Sequence, residues 1–155
     1  MGDRCGNAST EEVMLALHIL YGLAPHYKFE NFYSLSQFVQ EASGLKLSTG
    51  KPVVGENVNK IEAGLVVDIL AKAQSKGIPN TIAVPYDSRM VGQKGLQVVI
   101  GKKSGWRSIQ LKLKTLGIEV SREQAEALLP KAKETSIKLK RNLTDDELRA
   151  LAESP

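Results

Sequence analysis

Apolar residues recur at helical spacing in six stretches of the chain. Val13, Leu17 and Leu20, with Ala16, share one face of a helix that opens near Ser9. Ser9 and Glu12 fit a capping box, in which the serine oxygen accepts from the Glu12 amide and the glutamate reaches back. Gly22 and Pro25 end that helix. Leu35, Phe38, Val39 and Ala42 predict a second helix over 31–43, closed by Gly44. Gly50, Pro52 and Gly55 mark 45–57 as a loop. Ile61, Leu65, Ile69 and Ala73 stand four apart and predict a third helix from 57 or 58 to 75, stopped by Gly77-Ile78-Pro79. Gly64 falls inside that span, where glycine costs roughly 1 kcal/mol against alanine, so something is expected to pack close to its backbone.

The middle of the chain reads differently. Thr81–Val84 and Leu96–Ile100 are strand-like, with Pro85–Ser88 as a turn between them. Gly101-Lys102-Lys103-Ser104-Gly105 reads as a flexible basic hinge. Trp106, Ile109, Leu113 and Leu116 then give a helix closed by Gly117. Ser121 and Gln124 form a second capping box, opening a helix over Ala125, Leu128 and Leu129 in which Pro130 predicts a kink or a restart. Thr144-Asp145-Asp146-Glu147 caps a last helix carrying Leu148 and Leu151. The fold class that follows is mostly α with a few short β strands. There are no repeats and no low-complexity tracts.

The 155 residues are 42% hydrophobic and 25% charged, an ordinary balance for a globular chain that can fold without disulfides. A single cysteine, Cys5, excludes an intramolecular disulfide and any multi-cysteine zinc site. No apolar run is long enough to span a membrane, and the first twelve residues lack a signal-peptide core, so the expected location is cytoplasmic.

Charge adds one feature. Residues 1–50 carry a net −2 and the rest +6, and no acid lies between Asp87 and Glu119. That interval holds Arg89, Lys94, Lys102, Lys103, Arg107, Lys112 and Lys114. It reads first as a solvated face, and otherwise as a site for a nucleotide-type cofactor tail. Nucleic acid is disfavoured, because aromatics are 5% of the chain and no reader motif is present.

Few residues look equipped for catalysis. His18 lies on the first helix and reads as a packing residue, and His26 as exposed. The segment Gly2-Asp3-Arg4-Cys5-Gly6-Asn7 is a polar loop leading into a helix N-terminus, a place that attracts anions. Asn7 offers an amide oxygen suited to Mg²⁺ or Mn²⁺, and Arg4 and the helix end would favour a Cys5 thiolate. The plainer alternative is a chain start with an Asn or Ser cap.

Five segments, in order, match a known pattern. Residues 2–13 resemble the "G-x-R-x-G-N-A-x-x-E-E" signature of the isopropylmalate, homocitrate and citramalate synthase family. Gly55-Glu56-Asn57 with Glu62-Ala63-Gly64-Leu65 is similar to its "G-E-N-x-x-x-H-E-S-G-I-H" segment. Pro85–Gly92 resembles "P-x-x-V-G", Gly101–Gly105 resembles "G-K-H-S-G", and Asn142–Leu148 resembles the closing "V-T-D-E-D-L" helix.

The resemblance implies a Claisen-type condensation of acetyl-CoA with a 2-oxo acid on a divalent metal, Mg²⁺ or Mn²⁺. It places Asn7 as a metal ligand, Arg4 and Gly6 at the substrate, and Glu62 and Cys5 as candidate catalytic groups. The remaining ligands, an Asp and a His-x-His pair, would belong to a TIM barrel, which needs about 250 residues. The implied architecture is the last barrel loop and helix, then post-barrel helical subdomains. It divides the chain into 1–24, a helical 25–77 and a small α+β 78–155. On this reading the chain is a C-terminal portion or subunit, inactive alone. Its implied partner is a barrel-bearing chain or a second copy, and the helix from Ser9 to Tyr21 should present an apolar face. Family histidines are replaced by Ile61, Val66 and Lys103, and the family tyrosine falls near Ile82. These departures leave room for a non-catalytic interaction or regulatory module.

Overall fold

The structure is a computed structural model and describes residues 6–23 and 26–153. The described chain is mostly helical, with one two-stranded parallel sheet. Its helices are α1 (Thr10–Tyr21), α2 (Phe32–Ser43), α3 (Gly64–Ser75), α4 (Trp106–Thr115), α5 (Arg122–Leu139) and α6 (Asp145–Glu153). The strands are β1 (Lys60–Ile61) and β2 (Gln97–Val98), in register Lys60 to Gln97 and Ile61 to Val98. Two compact units form, each from separated segments. One takes residues up to 59 together with 86–96, and the other takes 60–85 together with 97 onward.

The first unit has a small core of Leu15, Phe29, Val53, Val54 and Val91, with Met14, Phe32 and Tyr86 against it. His18 packs as its sequence context suggests, its ring 4.6 Å from that of Phe29. His26 is exposed. Gly22 and Gly44 close α1 and α2 in the left-handed conformation, at φ 65° and 70°. The apolar face expected on α1 is present and exposed. Leu15 is the buried residue, whereas Leu20 is 71% exposed and Val13 and Leu17 are also open. On α2, Leu35 and Phe38 are likewise exposed.

The second unit is better filled. Ile100, Ile109, Leu113, Ala125, Ala132, Leu143 and Leu148 form its core, so α4, α5 and α6 pack as their spacing predicts. Both caps at this end form. Ser121 Oγ accepts from the Gln124 amide at 3.2 Å, and Gln124 returns the bond to the Ser121 amide at 2.7 Å. Thr144 and Glu147 do the same at the start of α6.

Four expectations need correction. The third helix begins at Gly64, not at 57 or 58, because 60–61 pair as a strand. Its buried face is Val67, Leu70 and Ala73, while Leu65 is 75% exposed and Ile69 is also open. Thr81–Val84 is not a strand, since Asn80–Ile82 is a 3-10 turn that follows Pro79. Of the kink or restart expected at Pro130, the restart does not occur, since α5 runs on through the proline, with Ala125 before it and Ala132 after it both buried in one core.

The C-terminal cap predicts a pH response. Arg141 donates to both Glu147 oxygens, at 2.7 and 2.9 Å, and the Thr144 amide donates at 2.8 Å. These bonds, the arginine's first, hold the Glu147 carboxyl at about 2. A depressed carboxylate stabilises the fold above its ordinary pKa, and that contribution fades as pH falls from about 4.5 toward 2. Acid unfolding of Glu147→Gln, followed by helical circular dichroism, should therefore show a shallower loss across that window than the parent. Parallel curves would refute the assignment.

Candidate functional site

Gly6 and Asn7 lie just before α1, with Gly6 at φ 89°. Arg4 and Cys5, the other two residues of the signature singled out for chemistry, lie outside the described residues. Ser9 is the N-cap of α1 by backbone conformation, but its side chain caps nothing, so the expected box with Glu12 does not form. Lys51 engages these side chains instead. Lys51 Nζ donates to Ser9 Oγ at 2.5 Å and to Glu12 Oε1 at 3.1 Å, and it pairs with Glu11 Oε1. Burial, the largest influence on Glu11, opposes its ionisation, yet the bonds from Lys51, from its own backbone amide and from Ser9, with the charge of Lys51, together outweigh it, and the carboxyl titrates below its ordinary range. Lys51 also loses solvent, but the bonds to Glu11 and Glu12 raise its pKa. No local pattern announces this contact, because Lys51 stands 42 residues from Ser9.

Lys51 is carried by a tightly wound loop. Val53 has φ 67°, rare for a β-branched side chain, and the Val54 amide bonds the Pro52 carbonyl at 2.8 Å across it. This is a strained γ-turn. The buried amide of Gln93 holds the turn by donating to the carbonyls of Val53 and Gly55, at 3.0 and 3.1 Å. The backbone of Val53 also bonds the Tyr86 phenol, whose pKa burial pushes up. Gly55 is required here, since a Cβ would stand 2.5 Å from the Lys51 carbonyl oxygen.

Within the second unit, Glu62 and the 101–105 loop meet. Glu62 Oε1 accepts from the Lys103 amide at 2.7 Å, and the Gly64 amide bonds the Lys103 carbonyl at 3.2 Å. Gly64 thus opens α3 instead of interrupting it. The close approach expected of it is real, for a Cβ there would lie 2.8 Å from the Gly105 nitrogen. A Cβ on Gly101 would meet both Asn142 Oδ1 and Glu62 Oε1, at 2.5 and 2.6 Å. Ser104 Oγ accepts from the Gly101 amide at 3.0 Å. The loop read as a flexible hinge is therefore a closed turn, fixed by Glu62 on one side.

Glu62 carries a prediction of its own. Glu62→Gln keeps an oxygen for the Lys103 amide and should leave the loop in place, whereas Glu62→Ala should cost about 1 kcal/mol and loosen 101–105. Amide exchange at Lys103 separates the two outcomes, and equal exchange in both variants would deny Glu62 its clamp.

The basic stretch is partly neutralised. Among the described residues, three of its seven cations form ion pairs, Arg89 with Asp87, Arg107 with Asp68 and Lys112 with Asp145. Among the described residues, no group of three or more His, Cys, Asp or Glu side chains could hold a metal ion. Asn7 alone is not the six-oxygen shell that Mg²⁺ or Mn²⁺ takes, so the described residues do not fit a complete metal site. None of the described helices is long and apolar enough to cross a membrane.

This chain brings its Glu62–Leu65 and Gly101–Gly105 motifs together within one unit. It belongs to the family of 2-isopropylmalate, citramalate and homocitrate synthases, as a partial match to longer proteins. It is 39% identical to 2-isopropylmalate synthase 2 of Caldanaerobacter subterraneus subsp. tengcongensis, over 99% of this chain and 38% of that protein. It is 37% identical to the (R)-citramalate synthase CimA of Methanocaldococcus jannaschii, over 97% of this chain and 29% of that protein. Homocitrate synthase AksA of Methanopyrus kandleri is 37% identical over 86% of this chain and 32% of its own length. No protein-family model matches the chain.

Proposed function

We propose that this chain is the C-terminal portion, or a separate C-terminal subunit, of a synthase that condenses acetyl-CoA with a 2-oxo acid. The carrying observation is that relatives named as such synthases align with nearly all of the chain while it spans only 29–38% of them. In the complete enzyme the acetyl methyl group loses a proton, its carbon joins the oxo carbon, and water cleaves the thioester to release CoA. A bound Mg²⁺ or Mn²⁺ would supply Lewis-acid activation there. Asn7 would contribute one ligand oxygen, Arg4 and Gly6 would face the substrate, and Cys5 would stand beside them. Glu62 would hold the 101–105 loop in place. The partner is a barrel-bearing chain, or a second copy, covering the exposed Val13, Leu17 and Leu20 of α1.

The test is CoA release from acetyl-CoA with a panel of 2-oxo acids. The chain is assayed alone and after mixing with the barrel-bearing proteins recovered with it from its native host. Turnover by the mixture and none by the chain alone is the expected result. Turnover by the chain alone would refute incompleteness. A second reading, a non-catalytic interaction or regulatory module, draws on Ile61, Val66 and Lys103, which replace the histidines that the resemblance expects. Recovery of a barrel-bearing partner whose activity does not need this chain would favour it.

A further inference from the structure

We propose that Lys51 is a positioning residue that fixes the start of α1, and through it the place of Asn7. The relevance to metal binding rests on the reading of Asn7 given above, while the positioning itself does not. A helix N-terminus leaves amides without intrahelical partners, and a serine at the N-cap ordinarily satisfies one of them. Ser9 does not do so here. Its oxygen is engaged instead by an ammonium, an unusual neighbour for the positive end of a helix. The ammonium is tolerated because Glu11 and Glu12 in the first turn face it. One lysine thus gathers three side chains of a four-residue segment that begins two residues after Asn7.

The lysine is itself held firmly. The Lys51 amide bonds the Ser48 carbonyl at 3.0 Å, and the Gly55 amide bonds the Lys51 carbonyl at 2.8 Å. Gln93 pins the turn that follows. The strained φ of Val53 belongs to the same turn, so the loop keeps a costly conformation where Lys51 is mounted. A point on the 48–57 loop therefore dictates where the signature segment meets its helix.

The experiment is a double-mutant cycle on the full 155-residue chain. It combines Lys51→Met with the paired change Glu11→Gln and Glu12→Gln. Exchange of the Val13 amide, which closes the first turn of α1 on the Ser9 carbonyl, and the Asn7 side-chain amide resonances are read by NMR. Lys51→Met should speed exchange in that turn by about tenfold, equivalent to about 1.4 kcal/mol, and shift the Asn7 resonances. The glutamine pair should do the same, and the combination should add little further. Lys51→Arg should restore most of the protection. Amides of Ile109 and Leu113 report whether a variant still folds. Additive effects, no rescue by arginine, or an Asn7 signal that does not move would each overturn the proposal. If the positioning holds but the partnered enzyme shows no dependence on added Mg²⁺ or Mn²⁺, the reading of Asn7 fails and the role of Lys51 stands.

Discussion

Gly92→Ala should unfold the first unit or weaken it by about 3 kcal/mol or more, the sum of a disfavoured backbone and a steric overlap. Gly92 has φ +78°, and a Cβ built there would lie 2.0 Å from the carbonyl oxygen of Glu30. The neighbour is backbone, just after the buried Phe29, so it cannot swing aside as a flexible side chain could. The adjoining residues anchor the unit, with Val91 fully buried and Gln93 clasping the 53–55 turn. Amide exchange should show protection lost around Phe29, Val54 and Val91, while Ile109 and Leu113 keep theirs. Parent-like protection in the variant would mean that the two backbones do not approach as described.

The second large effect belongs to the other unit. Leu113 is wholly buried among Ile109, Ala125 and Leu148, and Leu113→Ala should cost about 2–5 kcal/mol through lost contacts and the cavity left behind. Calorimetry should place the midpoint of that unit roughly 10 °C lower or more. Leu65→Ala is the informative companion. Its spacing marks Leu65 as core, yet it is 75% exposed, so its change should stay within about 0.5 kcal/mol. A large loss at Leu65 would restore the sequence-based face of α3.

The contrast between these two leucines shows what the sequence can convey. Leu113 sits on a helix whose start, end and apolar stripe are all written locally, and α4, α5 and α6 follow their spacing and caps. Leu65 sits where a four-residue period runs across a boundary that the pattern does not reveal. Pairing of Lys60 and Ile61 with Gln97 and Val98 pulls the residues before Gly64 out of the helix. The motif positions were legible as a resemblance, and Glu62 and Lys103 do meet. Lys51 and Gln93 were not legible, since each acts on a loop or helix about forty residues away and neither belongs to a local period. The stripe on α1 was readable as apolar, and it is exposed among the described residues.

The return of residues 86–96 to the first unit also orders events during synthesis. Leu15, Phe29, Val53 and Val54 leave the ribosome well before Val91, which closes their core. Val91 follows Val54 by 37 positions. At elongation rates of about 5–20 residues per second, that interval lasts roughly 2–7 s. Through it the nascent chain presents an open apolar surface while residues 60–85 of the other unit are still being made. A chaperone or a translational pause would act most usefully in that window.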